Sequence, residues 1–162
     1  MFKKLIVTGA IFILTACGFH FQNGQLIPKE LQTLTLESGD KYGEMSMAMR
    51  RQLQMNNIQL VEARADVPVL RLNKISISDD VASVFKQGRE AEKILMLEVE
   101  ASIRLPNKAP IAISSKVNRT FFDNSRAALA KSAEKEQILN DMRQQAARQL
   151  ITKMVALQHQ IK

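Results

Sequence analysis

The chain has a single cysteine, Cys17, and its surroundings restrict what the rest can become. It closes the sequence Leu14-Thr15-Ala16-Cys17, after a basic start (Lys3, Lys4) and a short apolar run from Leu5 to Leu14. A basic n-region, a brief apolar h-region and small residues at a cut site make an export signal. At roughly ten residues the run is too short to span a bilayer, which takes about twenty. A cysteine at the cut itself has the pattern of a lipobox, in which the thiol is diacylated and becomes the new N-terminus. A plain secretory signal with a chance cysteine is the alternative. Cys17 reads as a lipid anchor, not a catalyst, and with no second cysteine an intramolecular disulfide is impossible.

Removing residues 1–16 as a signal leaves 146 of the 162, one domain by length. Residues 17–31 read as a lipidated tether, with Asn23-Gly24 and Pro28 as turn signals, and 32–162 as the single folded domain. The residue after the cysteine is Gly18, not aspartate, which favours the outer membrane as the address. The formal charge of +7 falls to +5 once Lys3 and Lys4 leave with the signal. A basic excess often marks nucleic-acid binding, but an exported protein meets phosphorylated lipids instead, so no nucleic-acid partner is expected.

Hydrophobic periodicity outlines the domain. Thr33 to Leu36 alternate as in a half-buried strand, Ser38-Gly39-Asp40 breaks it, and Asp40 is a candidate N-cap. Met45, Met49 and Leu53 recur at intervals of four, predicting a helix over Tyr42 to Met55 that Asn56-Asn57 ends. In Val69 to Ser78 the apolar phase slips from even positions (Leu70, Leu72) to odd ones (Ile75, Ile77). A period-2 strand needs an extra residue for that, so a bulge is expected near Asn73-Lys74. Lys86-Gln87-Gly88-Arg89 reads as a turn. The odd positions from Leu95 to Leu105 are then apolar, and Ile111, Ile113, Val117 and Phe121 supply a matching hairpin strand. Ser132 is a candidate N-cap, with Glu134 and Glu136 in the first turn of a closing helix. Its stripe is Ile138, Met142, Ala146, Leu150, Met154, Leu157 and Ile161. The expected fold is α+β: a two-layer sandwich with a roughly four-stranded mixed sheet and two helices on one face, in the order β-α-β-β-β-α.

Catalytic patterns are missing from the sequence. His20 and His159 have no carboxylate at a useful spacing, and no nucleophile elbow, phosphate-cradling glycine loop or metal-ligand cluster is present. Asp79-Asp80 reads as a solvated strand end, because neighbours on a strand point to opposite faces. The expectation is a protein that is not an enzyme and carries no cofactor or metal.

Several stretches in order resemble the LptE (RlpB) family of lipopolysaccharide-assembly lipoproteins. They are Cys17-Gly18-Phe19-His20, Leu34-Thr35-Leu36-Glu37-Ser38-Gly39-Asp40, Arg51-Gln52-Leu53, Ala82-Ser83-Val84-Phe85, Ser115-Lys116-Val117, Phe121-Phe122-Asp123-Asn124 and Ala128-Leu129-Ala130-Lys131. The resemblance implies a non-catalytic outer-membrane lipoprotein whose domain, on the periplasmic side, plugs the lumen of the LptD β-barrel and assists its assembly. It also implies binding of lipopolysaccharide, with Lys86 and Lys131 as phosphate contacts. Arg89, close to Lys86, supplies the bidentate fork that a lysine lacks. The alternative is a lipoprotein that binds anionic lipid, or acts on envelope polymers, without a barrel partner.

If Cys17 is only an anchor, Cys17→Ala should abolish incorporation of labelled palmitate and release the protein from the membrane fraction. Its thermal melt should stay that of the unlipidated domain; a collapsed melt would mean that the residue has a structural role.

Overall fold

A computed structural model describes residues 27–84, 90–122 and 128–157. A turn of 3-10 helix (Lys29–Leu31) leads into β1 (Thr33–Ser38), α1 (Glu44–Met55), β2 (Gln59–Leu60), β3 (Val69–Val84), β4 (Glu90–Arg104), β5 (Ile111–Phe122) and α2 (Ala128–Ala156). The sheet order is β2-β1-β3-β4-β5, with β1 parallel to both neighbours and β3, β4 and β5 antiparallel. This is the expected α+β arrangement with one strand more. The two-residue β2 was not visible in the sequence because it is too short to show a period.

The sheet face under the helices is apolar because each strand sends alternate residues there. On β4 these are Leu95, Leu97, Val99, Ala101 and Ile103, all at most 1% exposed. Met142, Ala146, Leu150 and Met154 of α2 close over them, each fully buried. Met45, Met49 and Leu53 of α1 join Leu34, Leu70 and Leu72 in the same cluster. Fully burying one such side chain contributes roughly 1.5–3 kcal/mol. The register of β3 on β4 shifts between Leu72 and Lys74, where the phase slip required a bulge. By inserting Asn73 the strand keeps Leu70 and Leu72, then Ile75 and Ile77, on the one face.

Boundaries depart from expectation in four places. Ile27 and Leu31 are core residues, 3% and 0% exposed, so packing begins inside the segment read as a tether. α1 starts at Glu44 rather than Tyr42. Asp40 does not cap it directly: its Oδ1 accepts from the N–H groups of Tyr42 (3.0 Å) and Gly43 (2.9 Å) and so shapes the turn before the helix. A Cβ on Gly43 would stand 2.7 Å from the other Asp40 carboxylate oxygen, and glycine permits that approach. α2 already includes Ala128, which places Ser132 inside the helix and Glu134 and Glu136 beyond its first turn. The cap was misassigned because the apolar stripe begins only at Ile138; the turns before it are exposed on most sides. Asp79 and Asp80 lie within β3, not beyond its end.

Polar groups in the packed layer are satisfied. Ser115 Oγ donates to Gln149 Oε1 at 2.7 Å, and Ser46 Oγ to the Asp40 carbonyl at 2.6 Å. The Arg143 guanidinium bridges Glu44 of α1 and Glu136 of α2, the latter at 3.0 Å. Asn57 and Asn107 have φ of 58° and 59°, the left-handed region that asparagine tolerates better than most residues. They end α1 and turn the β4–β5 hairpin.

Leu150 lies at the centre of the helix–sheet contact. Leu150→Ala should cost about 2–5 kcal/mol in urea unfolding, whereas Leu150→Asp should yield no cooperative transition.

Candidate functional site

Near the β3–β4 hairpin, charged side chains replace apolar ones on the helix-covered face. Lys93 of β4 stands in register between Val81 of β3 and Phe121 of β5. It occupies the same alternation as Leu95 and Leu97, so its stem enters the packed layer and its ammonium group must find a partner. Asp79, in the same phase on β3, provides one: Lys93 Nζ lies 3.8 Å from its Oδ2. Lys135 of α2 approaches the same oxygen at 3.7 Å. One turn earlier, Lys131 Nζ bonds Glu134 Oε2 at 2.7 Å and lies 5.6 Å from the centre of the Phe121 ring, a cation–π distance. Three ammonium groups therefore converge on two carboxylates at one end of the helix–sheet seam. Their side chains are between 20% and 47% exposed.

Of the residues assigned from sequence, Lys131 takes part in this cluster. Lys86 and Arg89 belong to the connection 85–89 and lie outside the described residues, as do Cys17, His20, His159 and Ile161. Lys93, Lys135 and Asp79 were missed. The signal for two of them was present: Lys93 falls in the apolar phase of β4 and Asp79 in that of β3, where a charge interrupts the alternation. Among the described residues no three His, Cys, Asp or Glu side chains are placed to hold a metal ion. An open cleft at the other side of the sheet, between α1 and the β1–β2 edge, is lined by Glu37, Tyr42, Met47, Arg50 and Leu60. Its charges are mixed and it does not communicate with the lysines through any shared residue.

The cluster suits a multiply charged anion. Each carboxylate holds its lysines through partly exposed ion pairs, contacts worth about 0–1 kcal/mol. A phosphate with several oxygens can exchange into such a site, since an ammonium acts as a point charge without directional demand.

A family model described as LptE, lipopolysaccharide-assembly, matches residues 31–154. The chain belongs to the LptE family. The LPS-assembly lipoprotein LptE of Photorhabdus laumondii is 40% identical over 154 residues, covering 94% of this chain and 85% of the relative. That of Pectobacterium atrosepticum is 39% identical, covering 94% and 84%. The crystal structure of rare lipoprotein B from Shewanella oneidensis superposes with a TM-score of 0.73 at 36% identity, over 80% of this chain and 98% of that one. A minor lipoprotein from Acinetobacter baumannii, 18% identical with a TM-score of 0.62, shares the fold over 78% of this chain and 92% of its own. The two-layer fold is thus that of solved LptE-like lipoproteins. No described helix is long and apolar enough to cross a membrane.

Proposed function

We propose that this LptE-family chain is a non-catalytic outer-membrane lipoprotein, anchored through Cys17, that plugs the lumen of the LptD β-barrel and assists its assembly. In this reading it also binds lipopolysaccharide during insertion into the outer leaflet, through phosphate contacts from Lys131, Lys86 and Arg89. The observation that carries the proposal is the family match across residues 31–154, nearly the whole folded domain. The lysine cluster supports the second part. Lys131 is gathered with Lys93 and Lys135 beside the strands that the connection bearing Lys86 and Arg89 joins. An anion arriving there displaces Glu134 and Asp79 rather than water alone. Binding then depends on ionic strength, because the site is exposed enough to be screened.

The barrel role is tested by depletion. Without this protein, LptD should fail to reach its mature, heat-modifiable form, and in its presence the two should co-purify from detergent-solubilised membranes. Normal heat-stable barrel in depleted cells would count against the assignment.

The lipid role is tested separately. The double variant Lys86→Glu with Lys131→Glu should bind lipopolysaccharide about tenfold more weakly at low salt, with the gap closing as salt rises. Its unfolding free energy should change by about 1 kcal/mol or less. Equal binding by wild type and variant at low salt would rule out these contacts.

A further inference from the structure

Strand β3 outruns its neighbour. β1 pairs with it only at Val69 to Leu72, so from Asn73 to Ser83 the β1 side of β3 has no strand partner among the described residues. Which backbone groups face that opening follows from the pairing already present. Thr35 N–H donates to Pro68 C=O at 2.9 Å, so on β1 the residues facing away from the helices send their N–H toward β3. β3 runs parallel to β1, so its own open-face residues send N–H the same way, toward β4. Its helix-face residues therefore send N–H and C=O outward. Beyond the bulge these are Ile75, Ile77, Asp79 and Val81.

The same residues form an uncovered apolar shelf. Ile75, Ile77 and Val81 are 40%, 47% and 49% exposed, although Val99 and Leu97, the cross-strand partners of the two isoleucines, are fully buried. α2 lies mainly on β4 and β5 and reaches β3 at Asp79 through Lys135, and α1 packs against α2 and the β2 side, so Ile75 and Ile77 stay exposed. An unpaired backbone edge with an apolar shelf beside it is what strand addition requires: the main chain gives affinity and alternate side chains give choice.

A second copy is a poor partner. Between Ile75 and Ser83 its edge carries only the charges of Asp79 and Asp80, so it sets acid near acid and brings no cation to the middle of the strand. A segment of another chain is not so limited. Charge narrows its chemistry further. On the open face Lys74 already has Glu100 at 4.0 Å, whereas Asp80 has no ion-pair partner among the described residues. On the helix face Asp79 is held by Lys93 and Lys135.

We infer that the free half of β3 accepts an extended segment of the barrel protein as an additional strand, an inference that rests on the barrel partnership proposed above. The segment places apolar residues against Ile75 and Ile77 and a lysine or arginine across from Asp80. It is not a wall strand of the barrel, because in a closed barrel every wall strand is already paired on both sides. It is a stretch of the barrel chain that projects inward.

The test uses the full lipoprotein in cells that make the barrel. A photo-cross-linking residue replacing Ile77 should give an adduct with the barrel chain, at a segment different from any captured by a probe replacing Lys116, on the open face of β5 and away from this edge. Peptide mapping should place the adduct in a segment of alternating apolar and polar residues outside the barrel wall. Ile77→Pro removes one outward N–H and leaves the β4 ladder intact. It should lower the barrel recovered in a pull-down by about tenfold, and Ile77→Val should not. If the proline variant melts early, Ile75→Lys with Ile77→Lys places charges on the same edge and should have the same effect. Undiminished barrel recovery in these variants overturns the inference while leaving the barrel partnership standing. So does an Ile77 adduct with lipopolysaccharide, a second copy or this chain's own N-terminal segment. If wild type recovers no barrel at all, the partnership itself fails, and the strand addition with it.

Discussion

One shared apolar layer sustains the rest of the molecule. With a single cysteine there is no intramolecular cross-link to help, so the stripe on α2 and the alternate residues of β3, β4 and β5 must supply the cohesion. The apolar face runs on past Leu72 along β3 because the strand carries a bulge at Asn73. Without the bulge, Ile75 and Ile77 would turn to the wet face, and Lys74 and Ser76 would point toward the helices. The bulge therefore aligns the two halves of the longest strand with one hydrophobic face.

The helices do not cover that whole face. The two-helix layer is complete beside Leu70 and Leu72 but is represented only by α2 where the strands run on toward the β3–β4 connection. At that end the strand periods continue while the available apolar partners diminish, and the sequence changes accordingly. Asp79 and Lys93 take the positions that isoleucine and leucine hold lower down, and Lys135 and Lys131 meet them from the helix. Apolar burial is nearly irreversible within the folded state, but partly exposed ion pairs exchange readily with solvent and with other ions. The division between a buried core and a charged end is thus a division between what holds the domain and what can exchange its ionic partners.

Much of this was legible beforehand because it depends on period. The alternation of Leu95 to Ile103, the interval of four from Met142 to Met154 and the slip between Leu72 and Ile75 all state which face is buried, whatever the neighbours are. Elements without a period were opaque. β2 has two residues and is defined by its hydrogen bonds to β1, as in Gln59 N–H to Gln32 C=O at 2.8 Å. The start of α2 was misread because Ser132 has the chemistry of a cap, and nothing local shows that the preceding turn is already helical. The site was half legible. Lys131 could be singled out only through the family resemblance, whereas Lys93 and Asp79 break an apolar phase and could have been found from the strand pattern. Lys135 gives no sequence signal, since an exposed helical lysine looks alike wherever it points.

The uncovered half of β3 poses a question of solubility that its own sequence answers in part. A long free edge with three exposed β-branched residues invites uncontrolled pairing. Three features oppose it here. Register shifts occur at Leu72/Lys74 and again around Val81 to Val84, so the edge is not a flat template. Asp79 and Asp80 place negative charge on both faces of the strand between Ile77 and Val81. Lys74 adds the opposite sign near the other end. An arbitrary apolar strand brings no counter-charge to the exposed carboxylate of Asp80, and a second copy brings Asp79 and Asp80 of its own. A segment that brings a cation to that one position adds an ion pair to the backbone bonds. The features that keep the edge from aggregating are thus the ones that would make it selective, which is how a surface meant for one partner differs from an edge left unprotected.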